Sequence, residues 1–102
     1  MEVTSTEFYD IIQNGHALVV ASFGANWSGT SSMMQSVLRD VIRELDKVEM
    51  IYSDVENNEE LANEWGVFEV PTILLFQNGE VVDHLSGLVS RSQLRRRIGA
   101  HL

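Results

Sequence analysis

Cysteine is absent from the 102 residues, proline occurs once, and only seven residues are Lys or Arg. Each scarcity excludes something. Without thiols there is no disulfide framework, no Cys-ligated zinc or iron–sulfur centre and no thiol catalysis. The compartment stays open on this ground, because a thiol-free chain suits reducing and oxidising surroundings alike. Seven basic residues against fifteen acidic ones give a net charge of −8. Such a surface repels phosphate backbones and argues against nucleic-acid binding. No apolar run approaches the ~20 residues that span a bilayer. The opening Met1-Glu2-Val3-Thr4 is acidic and polar, unlike a signal peptide. The expectation is one domain over 1–102, cytoplasmic and monomeric, with no membrane attachment, metal or cofactor.

The few cations are unevenly placed. Arg91, Arg95, Arg96 and Arg97 lie in the last twelve positions, so the tail carries +4. Three basic residues against all fifteen acids leave positions 1–90 at −12. Two readings fit. One is a solvated last helix whose arginines complement its C-terminal dipole; the other is a docking patch for an acidic partner. Short charge runs usually mark solvated faces, which favours the first.

Local patterns give the elements. Thr4 and Glu7 have capping-box spacing ahead of Phe8, Ile11 and Ile12, and Gly15 is placed to stop that helix. Ala17–Phe23 is short and continuously apolar, the pattern of a strand buried on both faces. Gly24–Ser32 is expected to be a polar loop. Met34, Val37, Leu38, Val41, Ile42 and Leu45 then form one apolar stripe at helical spacing. Val48–Ser53 is a second strand, and Asn57–Trp65 a short helix with acids at its positive end. Ile73–Phe76, the turn pair Asn78-Gly79 and Val81–Leu85 form a hairpin. Ser90 and Gln93 cap a last helix with Leu94 and Ile98 inside. Alternating elements followed by a terminal hairpin indicate an α/β fold, a mixed sheet with helices on both faces.

Specific residues go further. Phe23 ends the buried strand and Ala25-Asn26-Trp27 follows, then Ser28-Gly29-Thr30-Ser31 and Met33. Asp54 follows the second strand. Trp65-Gly66-Val67 leads to Val70-Pro71-Thr72; Gln77-Asn78-Gly79-Glu80 and Gly87 come after. In order and spacing these resemble the thioredoxin family over essentially the whole chain. The resemblance implies the thioredoxin fold, with Pro71 as the family's cis-proline and Gly87 as the late glycine facing the active site.

The departures from that family bear on chemistry. Ser28 and Ser31 stand where the family has its nucleophilic and resolving cysteines. Thiol–disulfide exchange needs a thiolate, and a serine hydroxyl is not appreciably ionised at neutral pH, so these residues cannot perform it. Ser22 stands where the family has a buried aspartate, and Ser36 where it often has a helix proline. A deliberate Cys→Ser exchange would leave the acid in place. Its loss beside the thiols favours natural drift, since a buried carboxylate is costly to keep without a role. The alternative is a disulfide oxidoreductase whose active-site cysteines were replaced.

Two functions follow for the site as it stands. In the family, the surface around the motif binds extended polypeptide. Trp27, Val70, Pro71 and Gly87 would line that groove here, giving a non-catalytic module for a protein or extended peptide by β-augmentation. The same residues could instead survive only for folding. Secondly, Ser28, Thr30, Ser31 and Ser32 ring a helix N-terminus, where an anion could sit; the plainer reading is that they cap the helix. Hydrolysis by Ser28 would need a nearby histidine, and His16, His84 and His101 are not obviously placed for it. Glu56, Glu59, Glu60 and Glu64 fit a dipole-complementing helix start better than a cation site. Met33 and Met34 are expected to fill core and groove.

Overall fold

The computed structural model describes residues 2–14 and 17–102. Gly15, expected to stop the first helix, and His16 lie outside the described residues. Among the described residues eight elements follow one another: α1 (Ser5–Asn14), β1 (Leu18–Gly24), α2 (Gly29–Arg43), β2 (Val48–Asp54), α3 (Glu59–Glu64), β3 (Thr72–Gln77), β4 (Glu80–Ser86) and α4 (Arg91–Gly99). The sheet order is β2-β1-β3-β4. β1 pairs parallel with β2 and antiparallel with β3, and β3 pairs antiparallel with β4. All seven residues of β1 are buried, as its unbroken apolar run requires of a central strand.

Alternation along the strands divides the core in two. Val19, Ala21 and Phe23 face one side, where Phe8 and Ile12 of α1 and Leu61 and Ala62 of α3 pack on them. Leu18 and Val20 face the other, under Met34, Leu38 and Val41 of α2 and Leu94 and Ile98 of α4. Phe8 is the centre of the first layer. Its ring lies 5.8 Å from Phe23, 5.6 Å from Phe76 and 6.2 Å from Trp65.

Local chemistry closes the elements as their sequences dictate. Thr4 and Glu7 exchange the two hydrogen bonds of a capping box, and so do Ser90 and Gln93. Asn78 (φ 54°) and Gly79 (φ 81°) both adopt the left-handed conformation of a tight hairpin turn, which glycine enters without a steric cost.

One expectation changes and another gains detail. Gly29–Ser32 is not loop but the first turn of α2, capped by Ser28. That turn carries no apolar stripe, so periodicity cannot reveal it. Three of the four arginines of α4 pair within the chain: Arg91 with Asp40, Arg95 with Glu44 and Arg97 with Asp83. Arg97 grips Asp83 through two hydrogen bonds, of 2.7 and 2.6 Å. They therefore link α4 to α2 and to β4, while the helix stays largely exposed and carries Arg96 and Arg97 in its last turn, where they complement its dipole.

Candidate functional site

Strand register decides which loops meet. Phe23 pairs with Thr72, Thr72 with Ser86, and Gly24 with Asp54. The segments after β1, β2 and β4 and before β3 therefore emerge at one end of the sheet. The candidate site positions Trp27, Ser28, Ser31, Val70, Pro71 and Gly87 lie there, and Ser22 lies just inside it on β1.

Ser28 is buried at the N-cap of α2. Its Oγ accepts the Ser31 N–H at 3.2 Å and lies 2.9 Å from the Thr30 hydroxyl. Ser31 is also buried, and its Oγ accepts the buried Ala25 N–H at 3.3 Å. Both serines thus hold the chain to itself. Ser28 caps the helix, as the plainer reading expects, and Ser31 anchors its first turn. Ser36 is exposed on α2, which runs unbroken past it.

Gly24 makes the helix fit. A Cβ at this position would stand 2.9 Å from Ser31 Cβ and 3.1 Å from the Tyr52 ring. Ser22 is buried, two residues earlier on the same face of β1, the face that carries α2. Beside them, burial and the nearby Asp54 hold the Tyr52 phenol above its ordinary pKa.

Asp54 organises the next loop. Its carboxylate accepts the N–H groups of Asn26 at 2.9 Å, Glu56 at 2.8 Å and Asn57 at 3.3 Å. This ties the segment before Trp27 to the segment before α3. The Trp27 ring lies across that junction, its Nε1 donating to Glu56, with the side chain 70% exposed.

The Val70–Pro71 peptide bond is cis, and Pro71 is buried. The Pro71 carbonyl accepts the Gly87 N–H at 2.8 Å, which joins this loop to the end of β4. Val70 is half-buried, and among the described residues neither its N–H nor its C=O takes an internal hydrogen bond. Three large apolar side chains are exposed at this end, of which Phe68 and Leu88 carry no sequence signal and Met33 is expected to fill core or groove. Phe68 is 86% exposed, Leu88 60% and Met33 57%, whereas Met34 is core. A shallow cleft of about 280 Å³ runs beside Phe68, bounded by Glu69, Thr72, His84 and Ser86.

The other candidates fall away from this end or into ordinary roles. His84 lies 3.0 Å from the Ser86 hydroxyl, while the His101 carbonyl accepts from Gln77 at the opposite end of the sheet. Neither ring is placed on Ser28. Among the described residues no group of three or more His, Asp or Glu is arranged to hold a metal ion. No helix there is long and apolar enough to cross a membrane.

Comparison with known proteins agrees with this geometry. A family model described as thioredoxin matches residues 1–100. Thioredoxin from Bacillus subtilis is 33% identical over 91 residues, 88% of each chain. Thioredoxin from Staphylococcus saprophyticus is 34% identical across all of this chain and 97% of its own length. Among solved structures, a mutant thioredoxin from Halobacterium salinarum superposes with a TM-score of 0.89 at 32% identity, covering 98% of this chain and 88% of the other. Mitochondrial thioredoxin 3 of Saccharomyces cerevisiae, in its oxidised form, gives 0.87 at 28%, covering 98% and 93%. This cysteine-free chain belongs to the thioredoxin family, and it has the thioredoxin fold.

Proposed function

We propose that the protein is a redox-inactive binding module that receives an extended polypeptide segment at the end of the sheet where the family carries its thiols. One observation carries this reading. Among the described residues the Val70 N–H and C=O have no internal partner, and they sit in the loop between the exposed Phe68 and β3. An extended chain laid there gains two backbone hydrogen bonds, the basis of recognition by strand addition. Trp27 supplies a broad apolar surface, held in place by Asp54 through Asn26 and by Glu56 at its indole nitrogen. Gly87 and the buried Pro71 shape the floor. Dithiol chemistry has no donor here, because Ser28 and Ser31 are committed to the helix start and no sulfur nucleophile exists in the chain.

The test is partner capture by the full chain and by Trp27→Ala. The ring is 70% exposed, so its loss leaves the core intact and the thermal midpoint close to that of the parent. Capture falls in the variant. Equal capture by both proteins rejects the groove as the binding surface.

A further inference from the structure

Charge at the groove is of one sign. Every Lys and Arg of the chain lies at 39–47 or 91–97; residues 1–38 and 48–90 contain none. Those two cation-free stretches supply Trp27, Met33, Phe68, Val70, Pro71 and Gly87, that is, nearly the whole groove. Glu56 touches the Trp27 indole, and with Glu59 it borders a hollow of about 390 Å³ against Val55 and Val67. Glu69 lies next to Val70 on the other side. Among the described residues none of these three carboxylates enters a salt bridge. The basic side is different, with Arg43, Arg91, Arg95 and Arg97 all paired with Asp40, Glu44 or Asp83. Most of the cations are thus satisfied within the chain, and the acids that flank the groove are not.

Resting on the groove reading above, we infer that the occupant is a cationic extended segment, with apolar residues on Trp27 and Phe68 and Lys or Arg side chains directed at Glu56, Glu59 and Glu69. An acidic segment would meet like charge on both flanks with no cation to offset it. Glu56 has a double role: its carboxylate orients the Trp27 ring and leaves an oxygen for an incoming ammonium or guanidinium group. Apolar contact sets the position of the segment, and charge selects which segment stays.

The experiment uses three fluorescent peptides of one alternating apolar pattern, with Lys, Gln or Glu at the intervening positions, titrated by anisotropy at low and high salt. Exposed ion pairs with these three carboxylates favour the Lys peptide over the Gln peptide by about tenfold at low salt, and added salt shrinks the difference. Glu56→Gln/Glu59→Gln brings the ratio to within about twofold, and Gln at 56 still accepts from the indole. Asp46→Asn/Glu80→Gln removes the same net charge at the opposite end of the sheet and leaves the preference intact. No preference for Lys, or equal loss in the two double variants, overturns the inference. If all three peptides bind alike and Trp27→Ala abolishes each, charge selection falls and the groove reading stands. If no peptide binds, both fall.

Discussion

Replacing Ser28 by Ala tests whether this serine is structural. The substitution removes the Oγ that accepts the Ser31 N–H at 3.2 Å and that bonds the Thr30 hydroxyl at 2.9 Å. Loss of an N-cap costs about 1 kcal/mol. Thr30 is exposed, so water replaces its lost partner. Unfolding entropy near 2.1 cal/mol/K per residue, over a chain of this length, makes 1 kcal/mol worth about 5 °C in midpoint. Ser31→Ala acts differently: it leaves the buried Ala25 N–H without its acceptor and costs about 1–2 kcal/mol. Ser32→Ala is the control, since Ser32 is exposed within α2 and alanine is the better helix former. Thermal and urea unfolding by circular dichroism therefore order the variants, with Ser28→Ala and Ser31→Ala lowered and Ser32→Ala unchanged or raised. A Ser28→Ala midpoint within about 2 °C of the parent would refute the capping role, because it corresponds to less than half the expected loss.

Three other perturbations probe separate links. Phe8→Ala empties the centre of the layer under α1 and α3, where Phe8 is fully buried among Phe23, Trp65 and Phe76; a loss of about 3–5 kcal/mol is expected in urea unfolding. Asp83→Asn tests the clasp of α4 to β4. The Arg97 hydrogen bonds hold the Asp83 carboxyl below its ordinary pKa, so its contribution is complete above the unfolded-state value of about 3.9 and is lost as pH falls further. The midpoint difference between the parent and Asp83→Asn should hold at neutral pH and close in acid; a gap that persists in acid contradicts the electrostatic origin. Ser28→Cys/Ser31→Cys puts thiols at the two positions that the resemblance assigns to the family's cysteines, with Ser22 rather than a carboxylate buried nearby. Weak insulin reduction is expected, and rapid turnover would favour a recently disabled oxidoreductase over a diverged binding module.

What was legible in the sequence was local. β1 announces itself through seven consecutive residues, and the hairpin through Asn78-Gly79. Two helix starts are marked by side chains that bond their own backbone three residues away. The motif positions converge because register aligns Phe23, Thr72 and Ser86. The remainder depends on distant partners. Arg91 meets Asp40 and Arg95 meets Glu44 across 51 positions, so a basic cluster in the sequence becomes a set of internal clasps in the fold. The first turn of α2 is held by hydroxyls rather than by an apolar stripe. Phe68 and Leu88 each stand in irregular segments, where no period tells an exposed apolar residue from a buried one.

The central claim is that a polypeptide-binding surface exists at this end of the sheet without thiol chemistry. The most direct measurement is a nitrogen–proton NMR titration of the full chain with an extended Lys-containing apolar peptide. Shifts concentrated at the Trp27 indole and the Val70 and Gly87 amides, absent in Trp27→Ala, are the predicted result. No shifts, or shifts confined to α4 and the far end of the sheet, would contradict it.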